Sequence, residues 1–103
     1  MRKAIVSDTA RSELRLITEY LAVFSRNTAV SFVREFDDKI KTLEEGVVEY
    51  PIARQPELSA MGFRIALVKS YLMLYTVDDG GDVYVAHVFH QSQDYAALVV
   101  AAR

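Results

Sequence analysis

Two histidines, His87 and His90, are the side chains of this sequence best suited to proton transfer near neutral pH. They stand three apart in the apolar run Val83 to Phe89 and just beyond it. In a strand that spacing turns them to opposite faces, which makes them poor joint ligands for a metal. His87 reads as a filler on a sheet face. His90 closes the run beside Gln91, Ser92, Gln93 and Asp94, and is expected to stand beside the Tyr71 hydroxyl. Arg64, at the entry to another apolar run, is suited to hold a carboxylate from Asp78, Asp79 or a partner. With zero cysteines, thiol chemistry, iron–sulfur clusters and thiolate zinc sites are excluded. No P-loop, dinucleotide fingerprint or nucleophile elbow is present, and no cofactor is implied.

Three short runs rich in β-branched and aromatic residues must position these groups: Phe63 to Lys69, Leu72 to Val77 and Val83 to Phe89. Asp78-Asp79-Gly80-Gly81-Asp82 is a strong hairpin connector, because glycine accepts the positive φ such turns demand. Ser70-Tyr71 is the tighter turn. This register sets Arg64 opposite Val77, Val77 opposite Tyr84, and His90 near Tyr71 and Leu72. Arg64 and His90 then lie at opposite ends of the sheet, roughly 20 Å apart at about 3.3 Å per residue, too far for one catalytic centre.

Before the meander come two amphipathic helices. Ala10, Leu14, Ile17, Leu21 and Phe24 recur at helical spacing, with Leu16, Tyr20 and Val23 widening the face. Ser25-Arg26-Asn27-Thr28 interrupts the pattern, and Ala29, Phe32, Phe36, Ile40, Leu43 and Val47 resume it. A connection of about four residues predicts an antiparallel hairpin. The far side of the second helix, from Arg34 to Glu45, is a mixed, solvated face. Lys3 to Val6 favours a strand and Ser7-Asp8-Thr9 a helix cap. Ile52 to Met61 reads as a connecting loop, and the alanine-rich segment from Ala96 to Arg103 as a short helix.

These elements predict an α+β fold, a two-helix antiparallel hairpin packed on a small, mainly antiparallel sheet in the order β-α-α-β-β-β. One sheet face meets the hairpin, with the N-terminal strand available as a fourth. The 103 residues, 51% apolar and 25% charged, suit a single domain spanning positions 1–103. Net charge is −2, split evenly along the chain, so no global charge argues for nucleic acid. The N-terminal apolar stretch is too short for a signal peptide, and no run approaches the roughly 20 residues of a membrane span. A cytoplasmic protein without a membrane partner is the expectation.

The order of elements resembles the RelE/ParE superfamily of type II toxin–antitoxin toxins, and the wording agrees. Gly62-Phe63-Arg64 followed by Tyr71-Leu72-Met73-Leu74-Tyr75-Thr76-Val77 is similar to the family's central hairpin. Val85-Ala86-His87-Val88-Phe89-His90-Gln91-Ser92-Gln93-Asp94-Tyr95 is similar to its closing strand. Ala29-Val30-Ser31-Phe32 and Pro56-Glu57-Leu58 also echo family wording. Members divide by target: RelE- and YoeB-like toxins are ribosome-dependent mRNA endonucleases, whereas ParE-like toxins inhibit DNA gyrase.

Cleavage needs cations aimed at the phosphoryl oxygens. The arginine of the ribonuclease branch is replaced here by Leu72, and other basic positions by Ala66, Gln91 and Gln93. The resemblance therefore implies a ParE-like plasmid-stabilisation toxin that binds gyrase and is neutralised by a cognate antitoxin whose C-terminal segment wraps it. Arg64, Lys69, Gln91, Gln93 and Tyr95 are the implied target or antitoxin contacts. The alternatives are a metal-independent mRNA endonuclease with His90 and Tyr71 as catalytic residues, partnered by ribosome and mRNA, and an inactive homologue serving as an interaction module.

Overall fold

A computed structural model describes residues 2–102. In chain order the elements are β1 (Ala4–Val6), α1 (Asp8–Phe24), α2 (Arg26–Glu45), α3 (Pro56–Ser59), β2 (Arg64–Val68), β3 (Tyr71–Val77), β4 (Val83–His90) and α4 (Tyr95–Ala101). This is the expected α+β order, with a short helix where a plain loop was expected. Pro56 starts α3 because a first-turn position needs no amide donor, and Leu58 is fully buried beneath it.

Capping chemistry decides the helix ends. Ser7 Oγ accepts the Ala10 amide at 3.0 Å and starts α1. Ser25 serves both helices: its amide donates to the Leu21 carbonyl at 3.0 Å, and its hydroxyl oxygen accepts the Thr28 amide at 3.3 Å. The connection is thus one residue, not the four the capping cluster suggested, because a single extended serine ends one helix and begins the next. Gly46, at φ 73°, closes α2 in the left-handed conformation.

The sheet runs β1-β4-β3-β2, with β1 parallel to β4 and the remaining pairs antiparallel. Ala4 faces Val83 and Val6 faces Val85, so the N-terminal strand is the fourth strand and lies at one edge. The first hairpin turns at Lys69-Ser70, one residue earlier than Ser70-Tyr71, because Lys69 takes a positive φ of 56°. Tyr71 is thereby released into the ladder, and Arg64 faces Tyr75 instead of Val77. In the second hairpin Val77 faces Val83 and Thr76 faces Tyr84, a one-residue shift from expectation. Beyond a bulge at Leu74/Tyr75 the register carries Tyr71 opposite His90, as the sequence predicts.

Both sheet faces are covered, whereas the sequence argued for one. Ala10, Phe32, Phe36 and Leu43 of the hairpin pack on Tyr71, Met73, Tyr75, Val83, Val85 and Val88. On the other face Leu58 and Val99 pack on Leu72, Leu74 and Phe89, roofed by α3 and α4. Tyr71 through Tyr75 are therefore all buried. α4 has the expected helical form, with Asp94 capping it through the Ala97 amide at 3.3 Å; Arg103 lies outside the described residues.

The widened stripe of α1 does not reach the core. Leu16, Tyr20 and Val23 are 60%, 58% and 81% exposed. At about 100° per residue they lie roughly 80–140° around the helix from the line of Ala10, Leu14, Ile17 and Leu21, and a single sheet covers one stripe. Phe24 shares the buried line but sits in the last turn and is exposed, as is Val47, which falls beyond the end of α2.

Candidate functional site

The antiparallel pairing of β3 and β4 sets the Tyr71 and His90 rings edge to face, 5.0 Å between centroids. Phe32 packs on the other side of Tyr71 at 5.1 Å. Burial, reinforced by the neighbouring Tyr20 phenol, pushes the Tyr71 hydroxyl above its ordinary value and keeps it a neutral group. The turn after β4 wraps the imidazole. His90 Nδ1 accepts the Ser92 amide at 3.1 Å and lies 2.7 Å from Ser92 Oγ, while the His90 amide donates to Gln93 Oε1 at 2.8 Å. With Nδ1 occupied as an acceptor, the neutral ring carries its proton on Nε2.

These groups line an open hollow of about 450 Å³ with Leu16, Ile17 and Tyr20. Among the described residues its lining contains no arginine or lysine. Leu72, where the ribonuclease branch places a guanidinium, is 2% exposed and belongs to the opposite core. Ala66 is fully buried against the helix hairpin. Lys69 stands at the same end of the sheet, but its ammonium is 3.3 Å from Glu35 Oε1. Gln91 and Gln93 are exposed at this end, Gln91 donating its amide to the Ser70 carbonyl at 2.9 Å.

The remaining candidates lie elsewhere. Arg64 faces Tyr75, four positions along β3 from Tyr71, which is roughly 13 Å along the strand rather than 20 Å. Its guanidinium donates to the Tyr50 carbonyl and not to Asp78 or Asp79. The register shift explains the change: Arg64 points back toward the chain leaving α2, and Asp78 instead accepts the Asp82 amide at 2.8 Å inside its own turn. Tyr95 opens α4 on the far face, where its hydroxyl accepts from Gln55 Nε2 at 2.9 Å.

His87 turns to the face opposite His90, as the spacing requires. Its Nδ1 lies 3.1 Å from Glu13 Oε2, while Glu13 Oε1 accepts the Val88 amide at 3.0 Å and the imidazole stacks on Phe89 at 5.1 Å. Glu13 thus meets the edge of β4 where the short β1 has already ended. Nothing in the local sequence marks it, since its partner lies 74 residues away.

This architecture has known counterparts. The family described as the ParE toxin of the type II toxin–antitoxin system parDE matches residues 4–95. A chain from the chromosomal ParDE toxin–antitoxin system of P. aeruginosa shares the fold, with a TM-score of 0.69 at 15% identity over 87% of this chain and 96% of that one. None of the curated proteins compared with the chain matches it. With nearly its whole length inside the family pattern and the expected sheet and hairpin in place, the chain belongs to the ParE toxin family of type II toxin–antitoxin systems.

Proposed function

We propose that this toxin acts by binding DNA gyrase and not by cutting RNA. The observation that carries the reading is the cation-free lining of the hollow at His90. Attack of a 2′-hydroxyl on its neighbouring phosphate builds negative charge on the phosphoryl oxygens, and each missing donor aimed at that charge costs about 3–4 kcal/mol of barrier. A lone imidazole beside a neutral phenol leaves that charge unmet. The same hollow, edged by exposed Leu16 and Tyr20, offers apolar area and a few hydrogen-bonding tips, which suits protein contact.

A cognate antitoxin completes the proposal. β2 is an edge strand, and such an edge is open to an added strand from another chain. Arg64 is turned inward to Tyr50, and Ile52 already pairs beside it, so antitoxin contact falls to the later part of the edge at Leu67.

Purified toxin added to a gyrase supercoiling reaction tests the reading. The expected result is inhibition of supercoiling together with intact mRNA in translating extracts. Cleavage of mRNA that disappears in His90→Ala would overturn it.

A further inference from the structure

α1 carries a second apolar seam, which the sheet leaves bare. Leu16, Tyr20, Val23 and Phe24 stand at i, i+4, i+7 and i+8, so they run along one side of the final turns of the helix. All four are exposed, Phe24 by 70%, and the Tyr20 and Phe24 rings lean edge to face at 5.1 Å. At these exposures the seam offers roughly 500 Å² of apolar surface, a size at which exposed patches mark contact sites.

Opposite charges bracket the seam. Glu19 precedes the two rings and Arg26 follows them; both are exposed, and neither forms an ion pair among the described residues. The seam itself is uncharged, so it does not repel its own likeness. When two copies of α1 lie antiparallel about a two-fold axis at the level of Ala22, Tyr20 of one copy meets Phe24 of the other, and Glu19 of one approaches Arg26 of the other. Each contact then occurs twice, as a two-fold interface requires. Two such seams together bury roughly 1,000 Å², which suits a weak, reversible pair rather than a permanent one.

We propose that a second copy of this chain packs on this seam, forming a two-fold pair that shuts the hollow at His90. Leu16 and Tyr20 belong both to the seam and to the lining of that hollow, so the copy that covers them stands across its mouth. The pairing and the shutting follow from α1 itself; the consequence that paired toxin is withheld from its target rests on the gyrase reading above.

Sedimentation of the toxin over a concentration series tests the pairing. Its mass is expected to rise from one copy to two and stop there, with a dissociation constant in the micromolar range. Val23→Glu sets a charge inside the seam and should weaken pairing at least about tenfold, whereas Val23→Leu should keep it. Val23 is 81% exposed, so neither change disturbs the core. Glu19→Lys and Arg26→Glu should each pair poorly with themselves, yet an equimolar mixture of the two should pair as the native chain does, because each reversed charge then meets its opposite. Carbethoxylation of His90 by diethyl pyrocarbonate, located by peptide mass spectrometry, reads the hollow. It should slow as toxin concentration rises, and should not slow in Val23→Glu.

A single copy at every concentration, growth beyond two copies, pairing indifferent to Val23→Glu, or no recovery in the mixture would overturn the proposal. His90 modification that ignores concentration would do the same. Uptake by lipid vesicles of a chain that otherwise stays single would assign the seam to a membrane surface, and that also overturns it. None of these readouts involves gyrase, so failure of the pairing and failure of the target reading are told apart.

Discussion

Tyr75 shows how one side chain ties the hairpin core to the connecting segment. Its ring is fully buried, and its hydroxyl oxygen accepts the Tyr50 amide at 3.2 Å, directly across from Arg64. Burial pushes its titration above the ordinary value near 10, with the Tyr50 amide and the Arg64 charge pulling part of the way back. Tyr71 shifts in the same direction. A phenol whose folded value lies above its unfolded one stabilises the fold fully below the unfolded value, and that contribution is lost as pH rises through the folded value. Urea midpoints should therefore hold steady up to about pH 10 and fall beyond it. Tyr75→Phe should cost about 1 kcal/mol at neutral pH by orphaning the Tyr50 amide, yet flatten the alkaline fall. An equally steep fall in that variant would assign the alkaline loss to other groups. At this scale the pairing of Tyr71 with His90 matched the sequence expectation, because the bulge at Leu74/Tyr75 cancels the one-residue shift at the second hairpin. Arg64's partner did not, because it depended on whether lysine would accept a left-handed φ at position 69.

Helix boundaries rest on small polar residues more than on the apolar stripes between them. Ser25 satisfies the last turn of α1 through its amide and the first turn of α2 through its hydroxyl oxygen. Ser25→Ala keeps the amide and loses the hydroxyl, so thermal unfolding should register a loss of about 1 kcal/mol, and Ser25→Asp should recover most of it. A neutral Ser25→Ala would mean the Thr28 amide is served equally well by water. Period alone predicted both helices, because each must lay one stripe on the sheet. It could not say where the stripe stops, and Tyr20 and Phe24, stacked edge to face at 5.1 Å beyond the sheet, are the result. α3 spans four residues, too short for a helical period to register against a polar background.

Taken whole, the molecule is a sheet between two dissimilar covers: the long hairpin on one face and two short helices on the other. Phe36→Ala on the hairpin side and Leu58→Ala on the other should each cost about 2–5 kcal/mol by leaving a cavity. Because the sheet separates the two sites, the double variant should lose the sum to within about 0.5 kcal/mol. Denaturant unfolding of the two singles and the double checks this, and a large coupling would show that the two cores melt as one shared layer. The helix-facing core was legible from sequence because long stripes announce it. The second was not, since its covers contribute isolated residues such as Leu58 and Val99, and the uninterrupted apolar run of β3 is the sign that both faces needed covering.

β1 docks in parallel on β4, joining positions nearly eighty residues apart in the chain. During synthesis β1 emerges long before β4, so it must wait unpaired while the helix hairpin and the central strands form. The sheet closes when β4 has cleared the exit tunnel, and the rim carrying His90 is made in that same final stretch. A partially made chain thus has neither its closing strand nor the pairing of Tyr71 with His90.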